Sequence, residues 1–545
     1  MRNSPYPLYE LPFIRDLKDM LAQKESQMPE SVAFTYAKGH GHIEEKIYHA
    51  FFCEVNALGT WMHYQGIKGK HVAIIGENSY EWLLAFFAII NGGNVAVPID
   101  KELPKEEVTF LLQKADVTAV FCSKAYRELV EDLEQFSVFS MSDMADYIEE
   151  GQQHIAHGNM AYVNYEIDRK RMCCIMFTSG TSGASKGVML SHESIAEDIN
   201  GSCRLFVLKG NTIALLPFHH AFGLVVGVFM VFHYGYTIYI NKSLKNVQKG
   251  LQIAKPQTMF LVPLFVETFH RQIWESAKKD GRDKVLRRMM KFSDILLRIG
   301  IDIREKCFAS VHKALGGELQ YIISGGAGIG TQYIQEFRSW GVEILNGYGT
   351  TECSPCAAVN RNFYHKDGTV GLPVPNAKVK IAEDGEVLIQ GSIVMLGYYK
   401  DAEATAEVLK DGWYATGDLG MLDEDGFLTL TGRKKNLIIL SNGENVSPEE
   451  LEADFLKDEA VQEVLVYEKE GMIVAEIYPR NDFPWNDIPW EGLQKGNCAD
   501  KEEYFHNLQK QINRNRPLYK QIGKVLLRDT EFAKNTSKKI IRYQK

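Results

Sequence analysis

An apolar, strand-like run, Met172–Phe177, ends abruptly in the ten residues Thr178–Gly187: Thr-Ser-Gly-Thr-Ser-Gly-Ala-Ser-Lys-Gly. Glycines at 180, 183 and 187 let the backbone take positive φ and approach a ligand closely. The hydroxyls of Thr178, Ser179, Thr181 and Ser182 offer hydrogen bonds, and Lys186 adds a point charge. That is the chemistry of a loop that wraps phosphate oxygens. It is not the Walker loop, because Ser185 precedes the lysine and Gly187 follows it. A flexible Gly/Ser linker would have a similar composition. A linker, however, has no reason to lie between a buried-type strand and the helix-like segment Ser191–Asn200.

Such strand–loop–helix punctuation recurs through the first two thirds of the chain. Helix-type Ala50–Gln65 leads to the apolar run His71–Ile75, and Glu81–Asn91 leads to Val95–Pro98. Later strand-type runs are Val117–Cys122, Met172–Phe177, Thr212–Pro217, Thr258–Val262 and Tyr321–Ser324. Alternating strands and helices predict an α/β fold of doubly wound, mostly parallel sheets with ligands at the carboxyl ends of strands. From about Gly371 the texture changes. Asp384-Gly385 between Val379–Ile381 and Glu386–Ile389 is a hairpin signal, and Asp423–Gly426 between Leu419–Leu422 and Phe427–Leu430 is a second. An antiparallel β subdomain is therefore expected after the α/β region. Ser447-Pro448-Glu449-Glu450 predicts a capping-box helix start, and Val461–Tyr467 with Met472–Tyr478 a hairpin across Glu468–Gly471. The expected division is a large domain over 1–434 and a small α+β domain over 436–545, in which Pro484–Asn497 forms a loop or insertion.

At 545 residues, two or more domains are expected. A net charge of −9 argues against nucleic acid as a partner. Nine scattered cysteines make no disulfide framework, and Met1–Asp16 has no signal-peptide core, so a reducing, cytoplasmic setting is expected. Cys353 and Cys356 form a Cys-x-x-Cys pair, but no second pair or His cluster completes a metal site. Residues 210–241 carry no Asp, Glu, Lys or Arg, and length alone permits a membrane span. Pro217, His219, His220, His233 and four glycines oppose that, and a buried helix and strand lining a pocket is the expectation. No integral membrane segment is predicted; peripheral membrane contact is compatible with the sequence, though no amphipathic basic helix compels it.

Three further stretches have chemistry to offer. Asn346-Gly347-Tyr348-Gly349-Thr350-Thr351-Glu352 follows the strand-like Val342–Leu345. Its aromatic ring can present a flat face to a base, and its hydroxyls and carboxylate suit a phosphate-bound Mg²⁺. Trp413-Tyr414-Ala415-Thr416-Gly417-Asp418 places a carboxylate on a Gly-Asp turn, where it can accept two ribose hydroxyls; a lone exposed Asp there would be a plain turn residue. Ser324-Gly325-Gly326-Ala327-Gly328-Ile329-Gly330 follows a strand but fails the dinucleotide fingerprint, since Thr331 stands where its last glycine would be.

Together these stretches closely resemble the motifs of the adenylate-forming superfamily of acyl-CoA synthetases, peptide-synthetase adenylation domains and luciferases. The loop resembles [Tyr/Phe]-Thr-Ser-Gly-Thr-Thr-Gly-x-Pro-Lys-Gly, with Ser182 and Ser185 as departures; the others resemble Tyr-Gly-x-Thr-Glu, Tyr-x-Thr-Gly-Asp and a Ser-Gly-[Gly/Ala]-Ala turn. Gly432-Arg433-Lys434-Lys435-Asn436 resembles Gly-Arg-x-[Lys/Asp], and Pro217–Gly223 resembles Pro-x-[Phe/His]-His-x-x-Gly. The tail Ala533–Arg542 resembles Pro-Lys-Thr-x-x-Gly-Lys-[Ile]-x-Arg, with Ala533 for Pro and Lys538 for Gly.

The resemblance implies ATP, Mg²⁺ and CoA as cofactors and a carboxylic acid as substrate, medium- or long-chain fatty acid being favoured. It assigns Thr178, Ser179, Gly180, Thr181, Ser182, Gly183 and Lys186 to ATP phosphates, and Gly326, Ala327, Asn346, Gly347, Tyr348, Gly349 and Thr350 to the adenine side. Thr351 would touch the α-phosphate, Glu352 would bind Mg²⁺, and Asp418 and Arg433 would hold the ribose. Lys435 would mark a hinge, Lys539 would be the catalytic lysine of a mobile small domain, and His220 would face the substrate carboxylate, with Gly223–Tyr234 as an apolar pocket wall. A stand-alone ligase charging a separate acyl or aryl carrier protein is the alternative. A non-catalytic binder of ATP or acyl-adenylate is disfavoured by Glu352, Asp418, Arg433 and Lys539 occurring together.

Overall fold

The computed structural model describes residues 7–39, 42–178, 185–440, 445–481, 483, 485, 501–514, 516–534 and 540–542. The chain separates into two compact units. One comprises residues 1–380, 388–415 and 422–428, and the other 381–387, 416–421 and 429–545.

Two large sheets organise the first unit. In one, the strand order is Gly397–Tyr398, Lys186–Ser191, Met172–Thr178, Val95–Ile99, His71–Ile75, Val117–Cys122 and Ser137–Ser140. The last five of these run parallel and the first two antiparallel to their neighbours. The other sheet has nine strands around a parallel centre in which Glu343–Gly349, Tyr321–Ser324 and Thr258–Leu261 lie side by side. The doubly wound, mostly parallel expectation is met. Buried parallel strands are covered on both faces, which is why these runs are apolar without alternation.

Helix Tyr80–Asn91 shows how the core forms. Ser79 caps it by accepting from the Trp82 N–H at 3.1 Å. Beyond the cap nearly every side chain is apolar, and all but Glu81 are buried. Its rings meet the charge-free segment: Trp82 packs on Phe218, and Phe86 and Phe87 pack on Phe229, with centroids 5.3–5.5 Å apart. That segment is a π-helix, Phe222–Met230, continued by Val231–Tyr234, and from Gly223 to His233 it is buried. It therefore belongs to the protein core, and among the described residues no helix is long and apolar enough to cross a membrane.

Two expectations fail locally. The phosphate-type loop does not feed a helix directly, because Lys186–Ser191 returns as a strand antiparallel to Met172–Thr178, with Thr178 opposite Lys186. The loop therefore joins a hairpin, and helix His192–Ser202 begins only after it, with Ser191 and Ser194 forming its capping box. Gly417-Asp418 is likewise no turn, but lies within the long strand Trp413–Leu422.

The antiparallel region is present: Ala377–Ile381, Glu386–Gly391, Trp413–Leu422 and Leu409–Lys410 neighbour one another in that order, with Leu428–Arg433 beside Trp413–Leu422. In the second unit Val461–Lys469 and Met472–Pro479 form the expected hairpin, and Lys524–Leu527 adds a parallel third strand. Helices Pro448–Phe455 and Lys501–Asn513 contribute Leu451, Phe455 and Phe505 to its core. The expected capping box does not form. Ser447 Oγ donates to Glu449 Oε2 at 2.9 Å, while Glu450 pairs with Arg516 and Lys520. Most of Pro484–Asn497 lies outside the described residues.

Candidate active site

In the first unit the distant sequence signals converge through side-chain contacts. Strand Glu343–Gly349 continues through Asn346, Gly347 and Tyr348, so the presumed strand end is part of the strand. Register with Tyr321–Ser324 sets Asn346 opposite Ser324, at the start of the glycine-rich turn. Asn346 is buried; its Nδ2 donates to the Thr369 carbonyl at 3.0 Å, and its Oδ1 has no hydrogen-bond partner among the described residues. Tyr348 is also buried. At Gly325 a Cβ would meet the Phe222 ring at 3.3 Å and the Gly347 carbonyl at 3.6 Å. The turn Ser324–Gly330, the strand of the Asn-Gly-Tyr-Gly motif and the start of the apolar π-helix are thus neighbours.

Gly349 has a steric reason. A Cβ there would stand 1.7 Å from the Pro355 carbonyl oxygen, so no other residue fits without moving backbone. The tight return after it places Thr351–Cys353 in a single 3₁₀ turn and sets the Glu352 side chain. Asp198, fully buried, supports this return by accepting from the Cys356 N–H at 3.1 Å. Burial holds its carboxyl well above the usual range.

Glu352 has a partner that sequence inspection missed. Tyr398 Oη donates to Glu352 Oε1 at 2.9 Å. Strand Gly397–Tyr398 sets Tyr398 opposite Val188, and this brings its ring beneath Lys186, whose Nζ lies 4.5 Å from the centroid. Burial first, and the Glu352 carboxylate second, push the Tyr398 phenol well up, so it stays a donor at neutral pH. One tyrosine therefore touches both the lysine of the phosphate-type loop and the carboxylate of the Thr-Thr-Glu motif. No local signal could have revealed it, because the contact spans 46 residues in sequence.

The two histidines of Pro217–Gly223 sit just before the π-helix, their rings 4.2 Å apart. Asn78, also missed, fixes their loop by donating to the Leu216 carbonyl at 2.8 Å and accepting from the Phe218 N–H at 3.1 Å. His219 is largely enclosed, its side chain 10% exposed, with Nε2 3.5 Å from Asp100 Oδ1; desolvation, followed by His220 and Lys101, holds its imidazole well below the ordinary value. It is neutral at physiological pH.

In the second unit Asp418 is nearly enclosed, its side chain 6% exposed, and its Oδ1 lies 2.8 Å from Arg433 Nε, whose own side chain is 47% exposed. Thr416 Oγ1 accepts from the Asp418 N–H at 3.0 Å. Glu386, unflagged in the sequence, accepts from the Gly417 N–H at 2.8 Å and from Lys434 Nζ at 2.8 Å. Lys435 lies in the short turn Lys434–Asn436. Ser179, Gly180, Thr181, Ser182, Gly183, Lys538 and Lys539 lie outside the described residues. At the tail, Lys534 bridges Ile540, and Arg542 pairs with buried Glu452. Among the described residues no group of three or more His, Cys, Asp or Glu could hold a metal, Cys353 and Cys356 included.

Two mostly parallel sheets and a separate antiparallel sheet make up the fold of adenylate-forming enzymes. The family model for AMP-binding enzymes matches residues 21–399, and the chain belongs to that family. It is 30% identical over 421 residues to a long-chain-fatty-acid–CoA ligase of Mycobacterium bovis, covering 70% of this chain and 68% of that protein. Among solved structures, the o-succinylbenzoate CoA synthetase of Bacillus subtilis with ATP and magnesium superposes with a TM-score of 0.72 at 21% identity, over 96% of this chain and 98% of that one. An anthranilate CoA ligase in complex with anthranoyl-AMP gives 0.76 at 19% identity, over 99% and 98%. These two likenesses establish the fold.

Proposed function

We propose that this chain is an AMP-forming acid–thiol ligase that activates a medium- or long-chain fatty acid with ATP and passes the acyl group to CoA. The observation that carries the proposal is the Lys186–Tyr398–Glu352 contact, which unites a phosphate-type loop with a carboxylate suited to Mg²⁺. A substrate carboxylate oxygen attacks the α-phosphorus of ATP, the bond to pyrophosphate breaks, and an acyl-adenylate forms. The CoA thiolate then attacks the acyl carbon and AMP leaves.

Each residue has a part in that scheme. Thr178, Ser179, Gly180, Thr181, Ser182, Gly183 and Lys186 take the β- and γ-phosphates, and Thr351 contacts the α-phosphate. Tyr348 packs on adenine beside Gly326, Ala327, Gly347, Gly349 and Thr350, while the spare Oδ1 of Asn346 suits the exocyclic amine. Asp418 and Arg433 hold the ribose, Lys539 acts in adenylation, and Lys435 is the hinge of a mobile small domain spanning 436–545. His220 faces the substrate carboxylate. Glu352 fits Mg²⁺, a hard ion that takes few protein carboxylates and fills its shell with water and phosphate oxygens. Bound there, it would neutralise charge on the departing pyrophosphate.

The relatives described above are CoA ligases by name, which favours CoA over a carrier protein as acceptor. The scattered cysteines, eight of them free among the described residues, suit a cytoplasmic enzyme. The test is product identity. Purified protein given ATP, Mg²⁺, CoA and a panel of carboxylic acids should release AMP, fastest with medium- or long-chain fatty acids. Release of ADP, or no AMP with any acid, overturns the proposal; acceptance of a carrier protein in place of CoA would revive the alternative.

A further inference from the structure

Helix Lys105–Lys114 ends on a lysine that does not serve its own helix. A cation in a last turn ordinarily faces the final carbonyls of that turn, where the helix dipole favours it. Lys114 reaches instead across 71 residues of sequence, and its Nζ donates to the Ser185 carbonyl at 2.7 Å. The side chain is half-buried and lies 5.9 Å from the centre of the Phe110 ring. Among the described residues Lys114 forms no ion pair, so the Ser185 carbonyl is the partner that holds it.

Ser185 is where the phosphate-type loop gives way to strand Lys186–Ser191, and the motif that the loop resembles has proline at this position. A proline fixes its own φ and restricts the residue before it. It thereby removes loop conformations without making any contact. Serine brings neither restraint, and the Lys114 contact supplies one by another route. The accepting oxygen belongs to the planar peptide between Ser185 and Lys186. Holding that oxygen sets the rotation of the plane and the direction in which Lys186 starts.

The next peptide of the stem is gripped from the same corner. The Gly187 carbonyl accepts from the Tyr399 N–H at 2.7 Å. Tyr399 Oη donates to Asp116 Oδ2 at 2.6 Å, and Lys400 Nζ lies 2.6 Å from Asp116 Oδ1. Asp116 itself takes left-handed backbone, φ 49°, where the chain turns from the helix into strand Val117–Cys122. The corner Lys114–Asp116 therefore touches the loop exit directly at Ser185 and, through Tyr399, at Gly187. Lys186 lies between the two grips.

We propose that Lys114 is a positioning residue for ATP binding: by holding the Ser185 carbonyl it fixes the exit of the phosphate-type loop, in place of the proline that the motif carries there. The proposal rests on the reading of Thr178–Lys186 as the phosphate site, but the clamp itself is measurable without nucleotide. Hydrogen exchange of the nucleotide-free, full-length protein, followed on peptide 172–191, should quicken about tenfold in Lys114→Met, the scale of losing one hydrogen bond from a charged donor. Equilibrium binding of ATP with Mg²⁺ and no acid should weaken by a similar factor.

Ser185→Pro should restore both in the Lys114→Met protein and change little in the wild type. Residue 185 stands just before the strand, where proline takes no bond from the ladder. A lysine with a merely structural role would not produce that rescue. Lys114→Arg keeps a charged donor and should stay close to wild type. Lys105→Met removes the same charge from the other end of the helix, where Lys105 pairs with Asp132, and should leave exchange and ATP affinity unchanged. Exchange in Lys114→Met equal to wild type, or a defect that Ser185→Pro leaves in place, would overturn the proposal. So would an ATP defect that vanishes at high salt with exchange unaltered, since Lys114 would then act on the nucleotide by charge alone. Protein that binds no ATP would overturn the ligase reading instead, and the exchange result would still decide the clamp.

Discussion

The segments Phe222–Tyr234 and Asp283–Arg298 are both rich in apolar residues, and their fates are opposite. The first has no charge and resembles a membrane span by composition, yet it is the interior of the protein, held between Phe86, Phe87 and its own flanks. The second is crowded with lysine and arginine, and it is the one that leaves apolar side chains in solvent. Hydrophobic content alone thus does not say which segment becomes interior. What decides is whether a second apolar face exists to satisfy the core while the first stays bare.

The strongest way to break this contrast is to put a charge into the first segment. Phe229 is fully buried against Phe86 and Phe87. Phe229→Glu loses the ring contacts and buries an unpaired carboxylate, each costing several kcal/mol. Together these are comparable to the whole stability of a domain. No soluble, cooperatively folded protein should be recovered, as judged by gel filtration and thermal melting. A variant melting within a few degrees of wild type would mean that the segment is not core.

A middle-sized effect sharpens the same point through pH. His233, at the end of that segment, is fully buried, and neither ring nitrogen has a hydrogen-bond partner among the described residues. Burial, with Lys24 nearby, pushes its imidazole down to about 4 from 6.5. The folded state therefore refuses a proton that the unfolded chain accepts. The resulting stability is complete above about pH 6.5 and is lost as pH falls toward 4. From pH 7 to 5 this one group removes about 2 kcal/mol. His192, also pushed down to about 4 by burial, acts in the same direction. His233→Leu should roughly halve the combined loss of the pair, read as the difference in denaturant midpoint between the two pH values. An unchanged pH dependence would show that His233 is solvated.

How much of this was legible before folding depends on the range of the interactions. Helix Tyr80–Asn91 and the hairpin Val461–Lys469 with Met472–Pro479 were legible, because period and turn chemistry act over a few residues. The capping box at Ser447 was misjudged because Glu450 finds Arg516 and Lys520, more than sixty residues away. The topology after Met172–Thr178 was not legible: a strand, not a helix, follows the loop. The strand Lys186–Ser191 has glycine and lysine at its start, and only pairing with Met172–Thr178 and Gly397–Tyr398 makes it a strand. In the same way Glu352 and Lys186 were legible as motif residues, while Tyr398, which touches both, was not. Which face of helix Asp283–Arg298 stays bare is set by the core of Phe269, Trp274 and Trp340, and no local pattern carries that information.

The smallest expected effect is the most discriminating for the second segment. Phe292 is 57% exposed and makes no ring contact among the described residues. Replacing it with Ser removes no core packing, and helix propensity differs little between the two residues. Its effect on stability should therefore fall within about 0.5 kcal/mol, against the complete loss of folding expected for Phe229→Glu. Thermal melting in the absence of lipid reads this directly. Destabilisation by 2 kcal/mol or more, the scale of losing a buried side chain, would mean that Phe292 is covered in the free protein. The two segments would then both be interior, and the contrast between them would disappear. A near-zero change leaves Phe292 with no packing duty in the folded chain.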